Sequence, residues 1–181
     1  AFTHEMDCMV GGPPGVLLVG DLLYVFVGLG QNPGHMGCFW ADISLDGALQ
    51  FEPCRSNPLF AGALEYGPLD AWGADANPYF DFRFVTSADV VFVDGYYYMT
   101  YEGIRGPSTN TLGRDDQFGL GIARSTEVDS RWEKYPGNPI LSDVADNWGI
   151  GHADLVIING VTYMYAGTPK LTRGRYKLVI K

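Results

Sequence analysis

One hairpin is written three times along this chain, and internal repetition restricts the fold more than composition does. Val16-Leu17-Leu18-Val19, Gly20-Asp21 and Leu22-Leu23-Tyr24-Val25-Phe26-Val27 make the first copy. The second is Val90-Val91-Phe92-Val93, Asp94-Gly95 and Tyr96-Tyr97-Tyr98-Met99-Thr100-Tyr101. The third is Leu155-Val156-Ile157-Ile158, Asn159-Gly160 and Val161-Thr162-Tyr163-Met164-Tyr165. Asp-Gly and Asn-Gly between β-branched and aromatic runs specify tight hairpins, because both central residues of the turn need positive φ. The runs are almost continuously apolar, which predicts strands buried on both faces by stacked neighbours.

A second element repeats with the first. Phe51-Glu52, four residues, Asn57-Pro58 and Leu59-Phe60 recur 81 residues on as Trp132-Glu133, four residues, Asn138-Pro139 and Ile140-Leu141. Third strands are predicted at Met36–Ile43, Phe118–Ser125 and Tyr176–Ile180, with Ala41 and Ala123 in step. The Phe51 and Trp132 segments then supply fourth strands. Hairpin, third strand and fourth strand make one blade of a β-propeller. The blades are predicted at about 12–60, 84–141 and 151–181, the last without its outer strand, so one all-β domain of 1–181 holds two and a half to three blades. Residues 61–83, rich in Gly, Ala and Asp, form a connection in which Trp72, Tyr79 and Phe80 pack over one face. No helix is required. Two sandwiched sheets are the alternative architecture, but simple alternation would not repeat the Asn-Pro element.

Composition excludes some functions. Twelve Lys and Arg against 21 Asp and Glu give a formal net charge of −9, which repels a phosphate backbone, so nucleic acid is not an expected partner. No run approaches the ~18 apolar residues of a membrane helix. Cys8, Cys38 and Cys54 show no metal-ligand spacing; their odd number predicts at least one free thiol, and they read as small hydrophobes inside strands. The N-terminus, Ala1-Phe2-Thr3-His4-Glu5, has neither an initiator Met nor a signal peptide and reads as a processed or truncated end.

The chemistry is predicted where inner strands converge on the propeller channel. The residue opening the first strand of a blade lies at the channel mouth: Asp89 in blade two, Asp154 in blade three, Gly15 in blade one. The second strand returns antiparallel to the same edge, which brings Glu102 beside Asp89; its counterparts are Gly28 and Gly167. Arg105 and His152 fall nearby. Asp7 is a weaker candidate ahead of blade one. Carboxylates around a pocket suit glycosidic bond cleavage, one ionised to activate water or attack the sugar and one protonated to serve the leaving oxygen. The reading assigns Asp89 as general base, Asp154 as the group that tunes pKa or holds the sugar, and Glu102 as general acid. His152, Arg105, Trp148 and Tyr101 are the substrate-binding candidates, the aromatics (with Trp72) as a sugar platform. Each acid also has a structural reading as a turn residue accepting backbone N–H groups, and Glu102 as a partner of Arg105. Arg105, Arg114 and Arg124 leave phosphorolysis open.

Ser87-Ala88-Asp89 with its hairpin resembles the blade openings of the five-bladed propeller glycoside hydrolases, the group that contains family 43 and its relatives in families 32, 62, 117 and 130. Gly119-Leu120-Gly121-Ile122-Ala123-Arg124-Ser125, Trp132-Glu133 with Asn138-Pro139-Ile140, and His152-Ala153-Asp154 carry the same resemblance. It covers residues 84–168 well and 12–60 more loosely. It implies a five-bladed fold, hydrolysis of an oligo- or polysaccharide by inner-strand acids, no required cofactor and, in some members, a central calcium ion. Asp89 and Asp154 match the inner-strand aspartate pattern. The glutamate that opens a further blade in such enzymes has no counterpart, and Glu102 stands in for it on geometric grounds. Five blades need on the order of 300 residues at this chain's spacing, so either the chain is part of a longer enzyme or copies associate to cover the open edges. A non-catalytic module that binds carbohydrate or protein is the alternative function.

Overall fold

The computed structural model describes residues 11–29, 34–61, 80–81, 84–104, 118–142, 150–167 and 174–177. Among them there is no helix; every regular element is a strand. Three antiparallel sheets follow one another along the chain. The first contains β1 (Gly11–Val19), β2 (Leu22–Leu29), β3 (His35–Asp42), β4 (Glu52–Pro53) and β5 (Phe60–Ala61). The second contains β6 (Phe84–Val93), β7 (Tyr96–Ile104), β8 (Phe118–Ser125), β9 (Glu133–Lys134) and β10 (Leu141–Ser142). The third contains β11 (Gly151–Ile158), β12 (Val161–Gly167) and β13 (Gly174–Lys177). The fold is a partial β-propeller, with one blade to each sheet. The third strand of blade three begins earlier than Tyr176, and residues 178–181 lie outside the described residues.

The turns follow their residue types. Asp94-Gly95 and Asn159-Gly160 have positive φ at both central positions, whereas in Gly20-Asp21 only the glycine does. That is the difference between a type I′ and a type II′ hairpin. The register makes the blades superimpose: Gly15 faces Phe26, Asp89 faces Thr100 and Asp154 faces Tyr165 across their hairpins.

The fourth strands differ from the prediction. Each is broken into two short pieces, β4 with β5 and β9 with β10, around a cis Asn-Pro peptide. The asparagine fills the gap between the pieces. Asn138 Oδ1 accepts the Ile122 N–H at 2.9 Å, and its Nδ2 donates to the Ile122 carbonyl at 3.0 Å and to the Tyr101 hydroxyl at 3.1 Å. Asn57 repeats the motif more weakly, accepting the Cys38 N–H at 3.3 Å.

Two cores mark the two seams between blades. Leu17, Val19, Tyr24, Phe26, Met36 and Cys38 of blade one meet Val85, Val90, Met99, Tyr101 and Trp132 of blade two, and Phe26 lies edge-on to Trp132 at 6.2 Å. Leu120 of blade two meets Ile150, Ala153, Met164 and Ala166 across the second seam. Burial on both faces was expected of every inner strand, and this needs correction. Val16 and Leu18 are exposed because they alternate with Leu17 and Val19, which pack on the first core. Val156, Ile157 and Ile158 are exposed in succession at the turn end of β11, beyond the second core, as is Phe92 near the turn of blade two.

Two further corrections concern cysteine and tyrosine. Cys38 and Cys54 form a disulfide, with Cα atoms 5.4 Å apart, rather than packing as separate thiols; Cys8 lies outside the described residues. The register explains the pairing: β4 adds to β3 at Phe39–Pro53, so Cys54 follows directly beside Cys38, and its N–H bonds the Cys38 carbonyl. Tyr101 is fully buried and cannot form a sugar platform. Its ring touches Phe60 and Phe80, and its hydroxyl donates to Asp81, which is also paired with Lys134 at 2.6 Å. The end of the predicted 61–83 connection therefore does pack onto blade two, through Phe80 and Asp81; Trp72 and Tyr79 lie outside the described residues.

Removing Asn138 should cost more than removing Asn57, because Asn138 closes three hydrogen bonds and Asn57 one weak one. At roughly 1 kcal/mol per bond, Asn138→Ala is expected to lose about 2–3 kcal/mol and Asn57→Ala about 1 kcal/mol in denaturant unfolding. Equal losses would show that the split fourth strand does not rest on its asparagine.

Candidate active site

Each inner strand carries a β-bulge just ahead of the channel position. The register slips between Gly11 and Gly15, between Thr86 and Asp89, and between Gly151 and Asp154. A residue in the left-handed region makes each slip: Gly12 at φ +78°, Ser87 at +49° and His152 at +51°. A bulge adds local twist and re-aims the side chains that follow it. Here it turns Asp89 toward the seam with blade three.

Asp89, Glu102, His152 and Asp154 lie together at that seam. Asp89 Oδ1 accepts its neighbour Val90's N–H at 3.0 Å, and Oδ2 accepts the Leu155 N–H from the inner strand of blade three. Glu102 is 2% exposed. Its Oε1 accepts the His152 N–H, and the His152 ring Nδ1 lies 3.4 Å from the same oxygen. Gly151 makes this approach possible: a Cβ there would stand 2.6 Å from Glu102 Oε1. Asp154 is exposed.

Burial dominates the protonation of the two inner acids. It pushes Glu102 above the ordinary carboxylate range, against the opposing pull of the His152 N–H, the imidazole and the Ser87 hydroxyl. It pushes Asp89 up as well; the Leu155 and Val90 N–H groups oppose this, and the negative Asp154 adds to it. A buried acid with a raised pKa beside an exposed one is the division of environments that separates proton donor from base.

The remaining candidates fall elsewhere. Arg105, Arg114, Trp148, Trp72 and Asp7 lie outside the described residues. Arg124 is away from the seam, paired with Glu133 and stacked 5.0 Å over Tyr96. Among the described residues no group of three or more His, Cys, Asp or Glu is arranged to hold a metal ion. The calcium implied by the resemblance finds no such set of ligands among the described residues. The residues missed from sequence are Ser87, Gly151 and the Leu155 backbone. A signal for Ser87 was present: Ser87-Ala88-Asp89 and His152-Ala153-Asp154 align, which puts Ser87 at the position of His152.

The fold these strands define is that of the propeller glycoside hydrolases. No family model and no curated protein sequence matches the chain. Among solved structures it is similar to a family 117 glycoside hydrolase from the marine bacterium Zobellia galactanivorans, with a TM-score of 0.58 at 11% identity over 90% of this chain and 49% of that one. The RS223 β-xylosidase gives 0.56 at 17% identity over 90% and 45%. A thermostable family 43 glycoside hydrolase gives 0.56 at 17% over 93% and 54%. The chain spans about half the length of each.

The raised pKa values have a consequence for stability. An acid that holds its proton more tightly when folded favours folding fully below the ordinary carboxylate range, and that contribution is lost as pH rises through the folded pKa. Stability measured by urea unfolding should therefore fall from that range upward, over the window set by Asp89 and Glu102. Asp89→Asn and Glu102→Gln should each flatten the fall, and an unchanged slope in both would contradict the assignment.

Proposed function

We propose that this chain contributes the acid–base pair of a glycoside hydrolase, with Glu102 as proton donor and Asp154 as the carboxylate that activates water. The observation that carries this reading is the contrast between a buried, proton-retaining Glu102 and an exposed Asp154 at one inter-blade seam. Asp89 then takes the supporting role. Both of its oxygens are engaged by backbone N–H groups, which suits a group that fixes geometry and tunes its neighbours better than one that must take a proton from water. This exchanges the roles the sequence reading gave the two aspartates.

In the reaction so assigned, Glu102 delivers its proton to the glycosidic oxygen as the bond to the anomeric carbon breaks. Asp154 removes a proton from the water that attacks that carbon. His152, with a side chain 68% exposed and Nδ1 3.4 Å from Glu102 Oε1, is the group assigned to contact a sugar hydroxyl. The substrate class is an oligo- or polysaccharide, and the β-xylosidase among the similar structures makes xylosides the first compounds to try.

A second reading has its own observation. Asp89 and Glu102 both bond the backbone of blade three, so they would be needed to hold the seam even in a non-catalytic carbohydrate- or protein-binding module. The two readings part in one experiment. A panel of aryl glycosides and oligosaccharides is incubated with wild type, Glu102→Gln and Asp154→Asn, with calorimetric binding measured alongside. A hydrolase loses about 10²–10⁴-fold in kcat/KM with either variant, whereas a binding module binds without turnover. Hydrolysis that survives both substitutions would sink the proposed roles.

A further inference from the structure

We propose that Ser87 and His152, the left-handed bulge residues of blades two and three, are positioning residues for the Glu102 carboxyl. This rests on the reading of Glu102 as proton donor and adds the device that holds it. The fold accepts glycine at a bulge, as Gly12 in blade one shows. Blades two and three instead place residues bearing Cβ in a region that L side chains disfavour.

The bulge of blade one packs on that of blade two. Gly12 abuts Ser87 and Thr86 so tightly that a Cβ on it would stand 2.3 Å from Ser87 Oγ and 2.6 Å from Thr86 Oγ1. Ser87 is 3% exposed, and its hydroxyl meets no partner in full hydrogen-bond geometry. Its influence falls on Glu102, whose ionised form it favours. From blade three His152 gives Glu102 its backbone N–H and brings Nδ1 to 3.4 Å. Ser87 thus carries two penalties, a left-handed backbone and an incompletely paired buried hydroxyl, where glycine or alanine would carry fewer. The bulge it forms lies across the ladder from Glu102, since the register slips between Thr86, which faces Glu102, and Asp89, which faces Thr100. The titratable group facing Glu102 across the seam is His152; Asp89 on its own blade and Asp154 on the next line the same seam.

Held between a serine and a histidine bulge, the carboxyl keeps one orientation, and both neighbours restrain the rise in pKa that burial imposes. Neither residue needs to touch the reacting atoms for this effect.

The test follows Glu102 itself, by carboxyl ¹³C NMR titration of the full chain in wild type, Ser87→Ala, Ser87→Gly, His152→Ala and His152→Gly, with thermal melting of each. All four variants should titrate Glu102 at higher pH than wild type. Where hydrolysis is measured, kcat/KM should fall on the order of tenfold, with the corresponding limb of the pH profile moving the same way. Each glycine variant should melt about 2–4 °C above its alanine counterpart, which reads the left-handed backbone separately from the lost side chain. If an alanine variant does not fold, its glycine variant supplies the titration. An unmoved Glu102 titration in the Ser87 and His152 variants overturns the proposal, as do glycine variants that melt no higher than alanine. Shifted titrations without any hydrolysis by wild type would leave the positioning in place and remove the hydrolase reading. Hydrolysis with unmoved titrations would do the reverse.

Discussion

Blades two and three are joined at the channel by carboxylates of one accepting backbone N–H groups of the other. Asp89 takes the N–H of Leu155, and Glu102 takes that of His152. Hydrogen bonds to charged groups contribute about 1.5–3 kcal/mol each in ordinary protein settings, but here burial works against the charged form and wins, since both acids are shifted upward. The seam therefore lies between two demands. Ionised acids bond the next blade more strongly; neutral ones sit more easily in a water-poor crevice. An acid held in that balance keeps a proton available, so the geometry that joins the blades is also the geometry a proton donor needs.

Blade one shows what the same scaffold does without acids. Its position equivalent to Asp89 is Gly15, packed on the Ala88 carbonyl. Where blade three's Leu155 N–H meets a carboxylate of blade two, the matching Val90 N–H bonds Asp89 Oδ1 of its own strand. Hairpin, bulge and split fourth strand are present all the same. The repeat thus supplies a frame that stands with or without chemistry, and the acids are additions at positions the frame already aims at the channel.

The parts of this arrangement that were legible in the sequence are local. Asp94-Gly95 and Asn159-Gly160 announce their hairpins because two residues determine the turn. Counting from those turns aligns Asp89 with Asp154, and the antiparallel return brings Glu102 back to them. The rest depends on contacts between segments far apart in sequence. The Cys38–Cys54 bond follows from how β4 joins β3, and the burial of Tyr101 from Phe60, Asp81 and Asn138. The exposure of Val16 depends on which face of β1 meets blade two. A bulge shifts register by a residue without changing the apolar pattern enough to be counted, so Ser87 passed as an ordinary strand residue.

The split fourth strand has an effect beyond its own blade. A long outer strand would expose a continuous row of N–H and C=O groups, and such a row recruits strands from other molecules. Here the outer edge is reduced to two-residue pieces, with Asn57-Pro58 or Asn138-Pro139 between them. Proline has no N–H to offer, and asparagine spends its amide on the strand within. Along blades one and two the rim therefore gives an incoming strand no continuous ladder to extend, which guards these blades against edge-to-edge aggregation.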